Sequence, residues 1–318
     1  MHEICSGVRP ETVQSGVCLA NYSTLGIGGE ARYFSVVTNQ KELVTLQGWA
    51  QVEQIPVLIV GEGSNFLFPD EGFPGLVLKI LIYGIEREDD EVVVGAGENL
   101  GSLIEWLNQQ DLQGLERMYG IPGSLAGAVV GNAGAYGQEI CQVLSSVVVL
   151  QNDGTVEMLS AERLHFQYRH SLFKENRKLV LLYCQLCLTP SLGTVSLQKI
   201  SDSILEKRLK KYPHDLKCPG SFFKNVQSDD LEHHVLKKIP DDFIIHEKIS
   251  AGKLLESVGA NGAIRGGAMV ASYHGNLIVN NGNATAQDVL WLARKYSGRV
   301  LEEYGIQLEP EIRILDDF

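Results

Sequence analysis

The sequence contains no apolar run of the about 18 residues that a membrane-spanning helix needs, so no membrane helix is expected. Residues 1–11 lack a positively charged segment followed by an apolar run, and we therefore expect no signal peptide. The six cysteines show no spacing that suggests a disulfide framework. Since free cysteines are typical of a reducing compartment, we expect a cytoplasmic protein without a membrane partner.

Positive charge is also scarce, with 27 Lys and Arg against 39 Asp and Glu and a net charge of −12. Such an excess of negative charge disfavours binding to a phosphate backbone, so no nucleic-acid partner is expected. A small anionic ligand remains compatible with this charge, because local cations and backbone N–H groups can outweigh a distant negative field. The length of 318 residues and 44% hydrophobic content indicate two or three globular domains.

One cysteine pair, Cys184 and Cys187, has the C-x-x-C spacing of metal and redox sites. The surrounding residues 179–188 are almost entirely apolar and predict a buried strand. Residues three apart on a strand face opposite sides of the sheet, so these two thiols cannot easily share a metal or form a disulfide. We therefore predict core packing for this pair and no metal site.

Residues 120–137 contain six glycines and no charged residue. They match neither G-x-G-x-x-G after a strand nor G-x-x-x-x-G-K-[ST], so neither standard nucleotide fingerprint applies. One interpretation is a backbone cradle for phosphate or pyrophosphate where a loop enters a helix. The other is a thin helix face packed against a sheet, since Gly123, Gly127, Gly131 and Gly134 recur at spacings of three or four. The residues alone leave both interpretations open.

A second glycine loop, residues 61–67, follows a predicted strand at residues 57–60. The predicted order of strand, helix and strand before this loop is typical of α/β folds that bind ligands at strand ends. Ser64 and Asn65 carry groups that hydrogen-bond phosphate, although an ordinary tight turn would have the same composition.

Hydrophobic periodicity and helix-capping residues place the remaining elements. Helices are predicted at residues 39–54, 100–110 and 197–212, and two more begin after Ser250 and Thr285. The basic run in residues 207–211 is interpreted as a solvated helix face. Strands are predicted at residues 33–37, 76–82, 91–94, 143–150 and 155–159.

Three polar groups interrupt this pattern. Arg169 follows Tyr168, and an arginine beside an aromatic ring suits bidentate recognition of a carboxylate. Residues 220–225 place Ser221 among aromatic residues on a short predicted strand, as in a preorganised site. Residues 309–313 carry carboxylates just before the end of the sequence. Each of these signals is equally typical of a surface ion pair or a turn when it stands alone.

Taken in order, these motifs resemble one family. They are residues 24–29, the loop 63–65, residues 121–124 and 132–137, Tyr168–Ser171, residues 220–225, 251–253 and 282–285, and residues 309–313. Together they are similar to UDP-N-acetylenolpyruvoylglucosamine reductases, the flavoenzymes that complete UDP-N-acetylmuramate in bacterial wall synthesis. The resemblance covers residues 20–315.

The resemblance implies an α+β fold with a two-part FAD-binding unit of the PCMH or vanillyl-alcohol-oxidase type and a smaller α+β substrate domain. The first FAD-binding part would comprise residues 1–80. The second would comprise residues 81–198 and take back the C-terminal strand at 308–318. The substrate domain would comprise residues 199–307.

The resemblance also implies non-covalent FAD, NADPH as co-substrate and a UDP-sugar enolpyruvyl ether as substrate, in a monomeric enzyme. FAD N5 would deliver hydride to the vinyl carbon, and Ser221 would donate the proton. Arg169 and Glu311 would flank the enolpyruvyl carboxylate, with Glu309 as the alternative to Glu311. The FAD-binding residues would be Gly61, Glu62, Gly63, Ser64, Asn65, Pro122, Gly123, Ser124, Gly127, Asn132, Gly134 and Ala135. The substrate-binding residues would include Tyr168, Lys224 and Asn225.

The sequence departs from the family pattern at Ala126, Gly131 and Val226 and along residues 216–219, without losing a chemical group. The short interval between Ser171 and Ser221 resembles the branch that lacks a substrate-covering tyrosine loop, so that Tyr273, another residue or none would shield the site. Two rival functions remain: an FAD-linked oxidase on the same flavin fold, and a nucleotide-binding module without catalysis.

Overall fold

The computed structural model describes residues 8–213 and 215–315. The chain divides into two compact units built from alternating segments. The first unit contains the chain up to Val17, Ala31–Glu62 and Pro74–Lys210, and the second contains Cys18–Glu30, Gly63–Phe73 and the chain from Lys211 onward. The three-part division expected from the sequence stays a prediction. Cys5, part of residues 1–11 and the end of the 308–318 segment lie outside the described residues.

Eight α-helices occur in the described residues. They are α1 (Gln40–Val52), α2 (Leu100–Gln109), α3 (Leu125–Gly131), α4 (Leu172–Glu175), α5 (Leu197–Lys211), α6 (His233–Leu236), α7 (Ala251–Ser257) and α8 (Ala286–Tyr304). The predicted helices α1, α2, α5, α7 and α8 are confirmed. Capping explains where several begin: the Asn39 side chain accepts from the amide of Glu42, and Thr285 forms a capping box with Asp288. None of the helices, within the part described, combines the length and apolarity that a bilayer span requires.

The strands are mostly short. In the N-terminal half of the chain they are β1 (Gln14–Cys18), β2 (Glu30–Val37), β3 (Val57–Val60), β4 (Phe66–Leu67), β5 (Phe73–Ile80), β6 (Ile85–Glu88), β7 (Glu91–Gly95), β8 (Leu112–Gln113), β9 (Gly134–Ala135), β10 (Gln138–Glu139), β11 (Leu144–Leu150) and β12 (Val156–Ser160). The remainder are β13 (Val180–Cys187), β14 (Thr189–Pro190), β15 (Val226–Gln227), β16 (Ile244–Ile245), β17 (Lys248–Ile249), β18 (Ile264–Arg265), β19 (Ala268–Val270), β20 (Ile278–Asn280) and β21 (Arg313–Ile314).

The first unit is organised around two sheets. One has the strand order β1-β2-β5-β3, in which β3 and β5 are parallel and Val57 lies opposite Leu76. The other is an antiparallel sheet in the order β12-β11-β13-β7-β6. The inner faces of both sheets share one apolar core with α1 and α2, and this core includes Leu43, Leu103 and Val147 at 0% exposure. Nearly continuous apolar runs along β11 and β13 supply much of this burial.

The C-x-x-C pair lies on β13, as the apolar run predicted. Cys184 is fully buried, and burial raises the pKa of its thiol far above the ordinary value. Cys187 is exposed, and both cysteines are free thiols. The prediction that the two residues face opposite sides of the strand is therefore confirmed, whereas the prediction of core packing holds for Cys184 and is wrong for Cys187.

The second unit has its own core around α8. The face of α8 predicted to be buried, formed by Val289, Leu292, Tyr296, Val300 and Tyr304, is buried and packs among residues of this core. Three small sheets surround it: β15-β17-β16, β18-β19-β20, and β21 paired in parallel with β4. The pairing of β21 with β4 brings the C-terminal segment beside the chain that follows the second glycine loop.

Candidate active site

The two glycine-rich segments meet in the first unit at Gly61 and Ser124. A Cβ atom on Gly61 would lie 2.5 Å from Ser124 Oγ, so any other residue at this position would force the serine side chain to move. Ser124 is 3% exposed, and its Oγ accepts a hydrogen bond from the amide of Gly127 at 3.2 Å, which caps α3. The first unit therefore places Gly61 beside the Ser124–Gly127 turn.

Not every amide of this turn is available to an anion. The amide of Leu125 donates to the carbonyl of Glu98 at 2.8 Å, and the amide of Ala126 donates to the carbonyl of Ala96 at 3.0 Å. These pairs anchor the start of α3 to the chain around β7. The donors that could face a phosphate are thereby reduced to the Ser124 hydroxyl and the loop residues before it.

Close helix packing does not explain the glycines of α3. A Cβ atom on Gly131 would meet no described atom within 4 Å, and one on Gly127 would meet only Ser124 Oγ, at 3.5 Å. The thin-helix interpretation is therefore wrong for these two glycines. This face of α3 carries no side chain that would obstruct a ligand, so its glycines are compatible with a bound nucleotide.

The second glycine loop begins in the first unit and ends in the second. Glu62 Oε2 lies 4.0 Å from Lys79 Nζ. Gly63 has φ +68°, and a Cβ atom there would lie 1.8 Å from the carbonyl oxygen of Tyr22, so no other residue fits. Within the described part of the chain, no oxygen accepts from the amides of Glu62 and Gly63. Two successive backbone donors of this kind suit an anion.

Asn65 connects the end of this loop to the C-terminal segment of the second unit. Its side-chain Nδ2 donates to the carbonyl of Glu311 at 3.2 Å, and its own carbonyl accepts from the amide of Arg313 at 2.8 Å. A residue expected to contact FAD thus also fixes the backbone of a residue expected to be catalytic.

Arg169 lies on a tight turn of the first unit, with φ +55°. Its Nη1 donates to the carbonyl of Asn132 at 3.3 Å, and its Nη2 donates to the carbonyl of Gly134 at 2.9 Å. The ring of Tyr168 lies 5.2 Å from the guanidinium carbon. The carbonyl of Arg169 itself accepts from Lys174 Nζ at 2.7 Å. Because the guanidinium is held by two carbonyls, its direction is set before any ligand binds.

Asn132 supports this turn from the C-terminal end of α3. It has φ +42° and is 1% exposed, and its Nδ2 donates to the carbonyl of Gln167 at 2.9 Å and to Glu139 Oε2 at 3.2 Å. Its Oδ1 is buried and has no hydrogen-bond partner among the described residues. Gly134 and Ala135 follow directly on β9, which pairs with β10. The first unit therefore brings Asn132, Gly134, Tyr168 and Arg169 together.

The second unit brings Ser221 and Glu311 onto adjacent segments. Phe223 and Pro310 form an antiparallel bridge, and the amide of Glu311 donates to the carbonyl of Phe222 at 2.8 Å. The amide of Lys224 donates to the carbonyl of Glu309 at 2.9 Å. These backbone pairs fix the register between the two segments, although the segments lie far apart in the sequence.

The two C-terminal glutamates differ in their exposure to solvent. Lys224 Nζ lies 3.0 Å from Glu309 Oε2, and the Glu309 side chain is 73% exposed. Asn225 Oδ1 accepts from the amide of Ala251 at the start of α7, at 3.1 Å. Glu311 is only partly exposed, and this difference in burial favours Glu311 over Glu309 as the expected catalytic residue, which stays a prediction. The substrate-binding roles of Lys224 and Asn225 stay predictions.

Two residues near Ser221 were missed by the sequence analysis. The hydroxyl oxygens of Tyr212 and Ser221 lie 3.1 Å apart. Asn276, which is 2% exposed, accepts from the amide of Phe223 through Oδ1 and donates to its carbonyl through Nδ2, both at 2.8 Å. The sequence shows Tyr212 only as the end of a basic helix and Asn276 only as part of a turn, so no local signal identifies either.

Comparison with known proteins covers nearly the whole chain. A family model described as "FAD binding domain" matches residues 31–160, and one described as the C-terminal domain of UDP-N-acetylenolpyruvoylglucosamine reductase matches residues 212–315. A curated UDP-N-acetylenolpyruvoylglucosamine reductase from Solibacter usitatus is 33% identical over 97% of this chain and 98% of its own. The protein of the same name from Acaryochloris marina is 36% identical over 96% of this chain and 94% of its own.

A solved structure agrees with these sequence matches. The crystal structure of UDP-N-acetylenolpyruvylglucosamine reductase from Thermus caldophilus is similar with a TM-score of 0.74 and 31% identity. The match covers 95% of this chain and 98% of that one. The expected α+β fold, with an FAD-binding domain and a C-terminal domain of this kind, is confirmed.

Proposed function

Because the chain belongs to the UDP-N-acetylenolpyruvoylglucosamine reductase family, we propose that it reduces UDP-N-acetylenolpyruvoylglucosamine to UDP-N-acetylmuramate for peptidoglycan synthesis. FAD is its bound cofactor and NADPH its reductant. The enzyme acts in the cytoplasm as a monomer. The observation that carries this proposal is the near end-to-end match to relatives of that name, which includes both the flavin-binding segment and the C-terminal domain.

The glycine loops hold the cofactor. Glu62 and Gly63 offer backbone amides to the pyrophosphate, and Ser124 offers its hydroxyl. The remaining FAD-binding residues are Gly61, Ser64, Asn65, Pro122, Gly123, Gly127, Asn132, Gly134 and Ala135. When bound, FAD takes up hydride from NADPH and supplies it for reduction of the enolpyruvyl double bond.

Ser221 supplies the proton. Hydride addition to the vinyl carbon leaves negative charge on the neighbouring carbon, which carries the carboxylate, and the Ser221 hydroxyl protonates that carbon. The Ser221 hydroxyl is a weak acid, but an almost fully formed carbanion is a strong base. Its position is fixed by the backbone pairs around Phe222 and Phe223.

Arg169 and Glu311 act on the substrate carboxylate. The guanidinium of Arg169 offsets the charge that develops during hydride addition, and such preoriented charge is an effective form of catalysis. Glu311 flanks the same carboxylate, while Tyr168, Lys224 and Asn225 contact the rest of the substrate. These roles are independent assignments that single substitutions can separate.

Stopped-flow absorbance of the FAD-loaded protein tests the function in two halves. NADPH should bleach the flavin, and the UDP-enolpyruvyl sugar should restore its colour under anaerobic conditions with formation of UDP-N-acetylmuramate. An FAD-linked oxidase would instead be reoxidised by oxygen and not by the sugar. A nucleotide-binding module without catalysis would remain yellow in NADPH. Either of these two results overturns the proposed function.

A further inference from the structure

Tyr212 is the hydrogen-bond partner of Ser221 among the described residues. Its hydroxyl oxygen lies 3.1 Å from Ser221 Oγ, a distance at which either group can donate. Tyr212 directly follows α5, and its ring packs on a small apolar cluster formed by Ala271, Leu277 and Val279. This packing restricts the ring and keeps its hydroxyl directed at Ser221.

The chemistry proposed for Ser221 requires a group that returns a proton to its oxygen, and Tyr212 is placed to do this. After Ser221 protonates the substrate carbon, its oxygen is an alkoxide, which is a strong base. A phenolic hydroxyl is a much stronger acid than an aliphatic one, so transfer of a proton from a phenol to an alkoxide is downhill. A phenol already within hydrogen-bond distance can make this transfer without movement of the backbone.

From this contact, and resting on the proposed reductase function, we infer that Tyr212 is a positioning residue that orients the Ser221 hydroxyl and relays a proton to it. The Ser221 O–H bond breaks as the new C–H bond forms on the substrate. The Tyr212 O–H bond breaks as the Ser221 O–H bond re-forms, and the phenolate takes a proton from water. No electrons are exchanged in the relay, so no further reactant is needed.

The surroundings of the Tyr212 ring suit a transient negative charge. Lys211 Nζ lies 5.1 Å from the ring centroid, which places a positive charge beside the ring. Tyr273 and Cys218 also lie close: burial raises the pKa of Tyr273, and the charges of Cys218 and Tyr212 raise it further. These two neighbours remain neutral when Tyr212 gives up its proton, so Lys211 supplies the charge that balances the phenolate.

Replacement of Tyr212 by phenylalanine removes the hydroxyl and keeps the packed ring. Bleaching of the flavin by NADPH should be unchanged, because the reductive half does not use the proton on Ser221. Reoxidation by the UDP-enolpyruvyl sugar should slow about tenfold, the effect of losing one well-placed hydrogen bond. The substrate concentration at half-maximal rate should stay the same, since Tyr212 acts only through Ser221.

The chain contains a matched control. Tyr304 and Ser257, in the same unit, also have hydroxyl oxygens within hydrogen-bond distance, at 2.9 Å. Tyr304→Phe removes a comparable Tyr–Ser pair on the C-terminal turn of α8 and should leave both half-reactions at the wild-type rate. A slow reoxidation in both variants would assign the effect to general destabilisation and overturn the inference.

A proton inventory of reoxidation in mixtures of H₂O and D₂O separates a relay from simple packing. If two protons are transferred in the rate-limiting step, a plot of the reoxidation rate against the fraction of D₂O should be curved for the wild type. The same plot should be a straight line for Tyr212→Phe. In the FAD-free protein, the ¹³Cζ resonance of labelled Tyr212 should shift in Ser221→Ala and stay in place in Tyr304→Phe. An unshifted resonance in Ser221→Ala, or a straight plot for the wild type, overturns the inference.

Incorporation of 3-fluorotyrosine at position 212 covers the case in which Tyr212→Phe does not fold. This residue has nearly the same shape and a more acidic hydroxyl, so a relay predicts faster reoxidation and a purely packing role predicts no change. Wild-type rates in all the Tyr212 variants overturn the relay while the proposed function stands. Failure of the wild-type protein to be reoxidised by the sugar overturns the proposed function instead.

Discussion

The Asn276 side chain satisfies both backbone groups of Phe223, accepting from its amide and donating to its carbonyl, each at 2.8 Å. The carbonyl of Asn276 also accepts from the amide of Phe222 at 2.9 Å. One buried side chain thereby takes the place that a neighbouring strand would occupy on this side of the segment. Because Ser221 directly precedes Phe222, Asn276 fixes the backbone from which the proposed proton donor projects.

Asn276→Ala should therefore destabilise the protein. The substitution leaves a buried N–H and a buried C=O of Phe223 without partners, which costs about 2–4 kcal/mol of the free energy of unfolding. Urea denaturation measures this quantity. Asn276→Asp keeps the acceptor but sets a buried carboxylate oxygen against the carbonyl of Phe223, so it should destabilise the protein at least as much as Asn276→Ala. A loss below about 1 kcal/mol for Asn276→Ala would show that water replaces the side chain.

The helices could be predicted from sequence because their signals are local. Asn39 and Thr285 cap α1 and α8 within one turn, and the apolar spacing of α8 marks the face that is buried. The Asn276 contact could not be predicted in this way, since an asparagine after His-Gly is equally typical of any surface turn. Its partner is set by tertiary structure, which no local pattern encodes.

The candidate site shows the same limit. Composition alone predicts anion sites at the glycine loops, and this stays a prediction, but the approach of Gly61 to Ser124 depends on how two distant segments pack. The pairing of the Ser221 and Glu311 segments is likewise non-local, and only the family resemblance linked them in advance. The alternation of segments between the two units has no compositional signal at Val17, Glu62 or Phe73.

Ser221→Ala should separate the two half-reactions. Flavin reduction by NADPH should remain near the wild-type rate, whereas reoxidation by the sugar should fall by about 10²–10⁴-fold, the usual contribution of a positioned general acid. Stopped-flow absorbance follows both steps in one sample. Since removal of the Ser221 hydroxyl leaves the Phe222 and Phe223 backbone pairs in place, folding should be preserved. Survival of both half-reactions would exclude Ser221 as the proton donor.

Arg169→Lys should affect the substrate step more than cofactor binding. Lysine keeps the positive charge but cannot donate to the carbonyls of Asn132 and Gly134 with the planar geometry of a guanidinium. Reoxidation by the sugar should slow about 100-fold, the loss expected when a preoriented charge is displaced. FAD affinity, measured by flavin fluorescence, should change by less than about threefold. A larger loss of FAD with normal reoxidation would place Arg169 in the cofactor site instead.

His274 should make folding stability depend on pH. Burial and then the charge of Lys211 lower its pKa to about 4, although Glu256 Oε1 lies 3.9 Å from its Nδ1. The effect of burial on the pKa is larger than that of this carboxylate. In addition, Nδ1 accepts a hydrogen bond from the amide of Asn276 at 3.2 Å and must stay unprotonated to do so.

The direction of this pH effect follows from the ordinary histidine value of 6.5. The unfolded chain binds the proton first as pH falls, so the stability contributed by neutral His274 is complete above about pH 6.5 and is lost progressively toward pH 4. At most about 3 kcal/mol is involved. In His274→Asn, an oxygen replaces Nδ1 without a titratable ring, and the fall in stability between pH 6.5 and 4 should be smaller by that amount. The free energy of unfolding is measured by urea denaturation at several pH values. An equal fall in this free energy for both proteins between pH 6.5 and 4 would contradict the assignment.

Gly61→Ala should weaken FAD binding by displacing the Ser124 hydroxyl. The new Cβ atom would lie 2.5 Å from Ser124 Oγ, so the serine side chain must rotate and release the amide of Gly127. Loss of this cap should cost about 1 kcal/mol of stability, and loss of the hydroxyl should raise the FAD dissociation constant about tenfold. Gly131→Ala is the matched control, because its Cβ meets no described protein atom within 4 Å and should leave the stability unchanged or slightly raised.

A double-mutant cycle identifies the clash as the cause. In a Ser124→Ala background, the oxygen that Gly61→Ala would strike is absent, so the second substitution should cost little further stability. FAD affinity should be about equal in the two single variants and the double variant, since all three lose the same hydroxyl. Additive losses in the double variant would mean that Gly61 acts through its own backbone. The amide of Gly61 would then join those of Glu62 and Gly63 as a donor to the pyrophosphate, independent of Ser124.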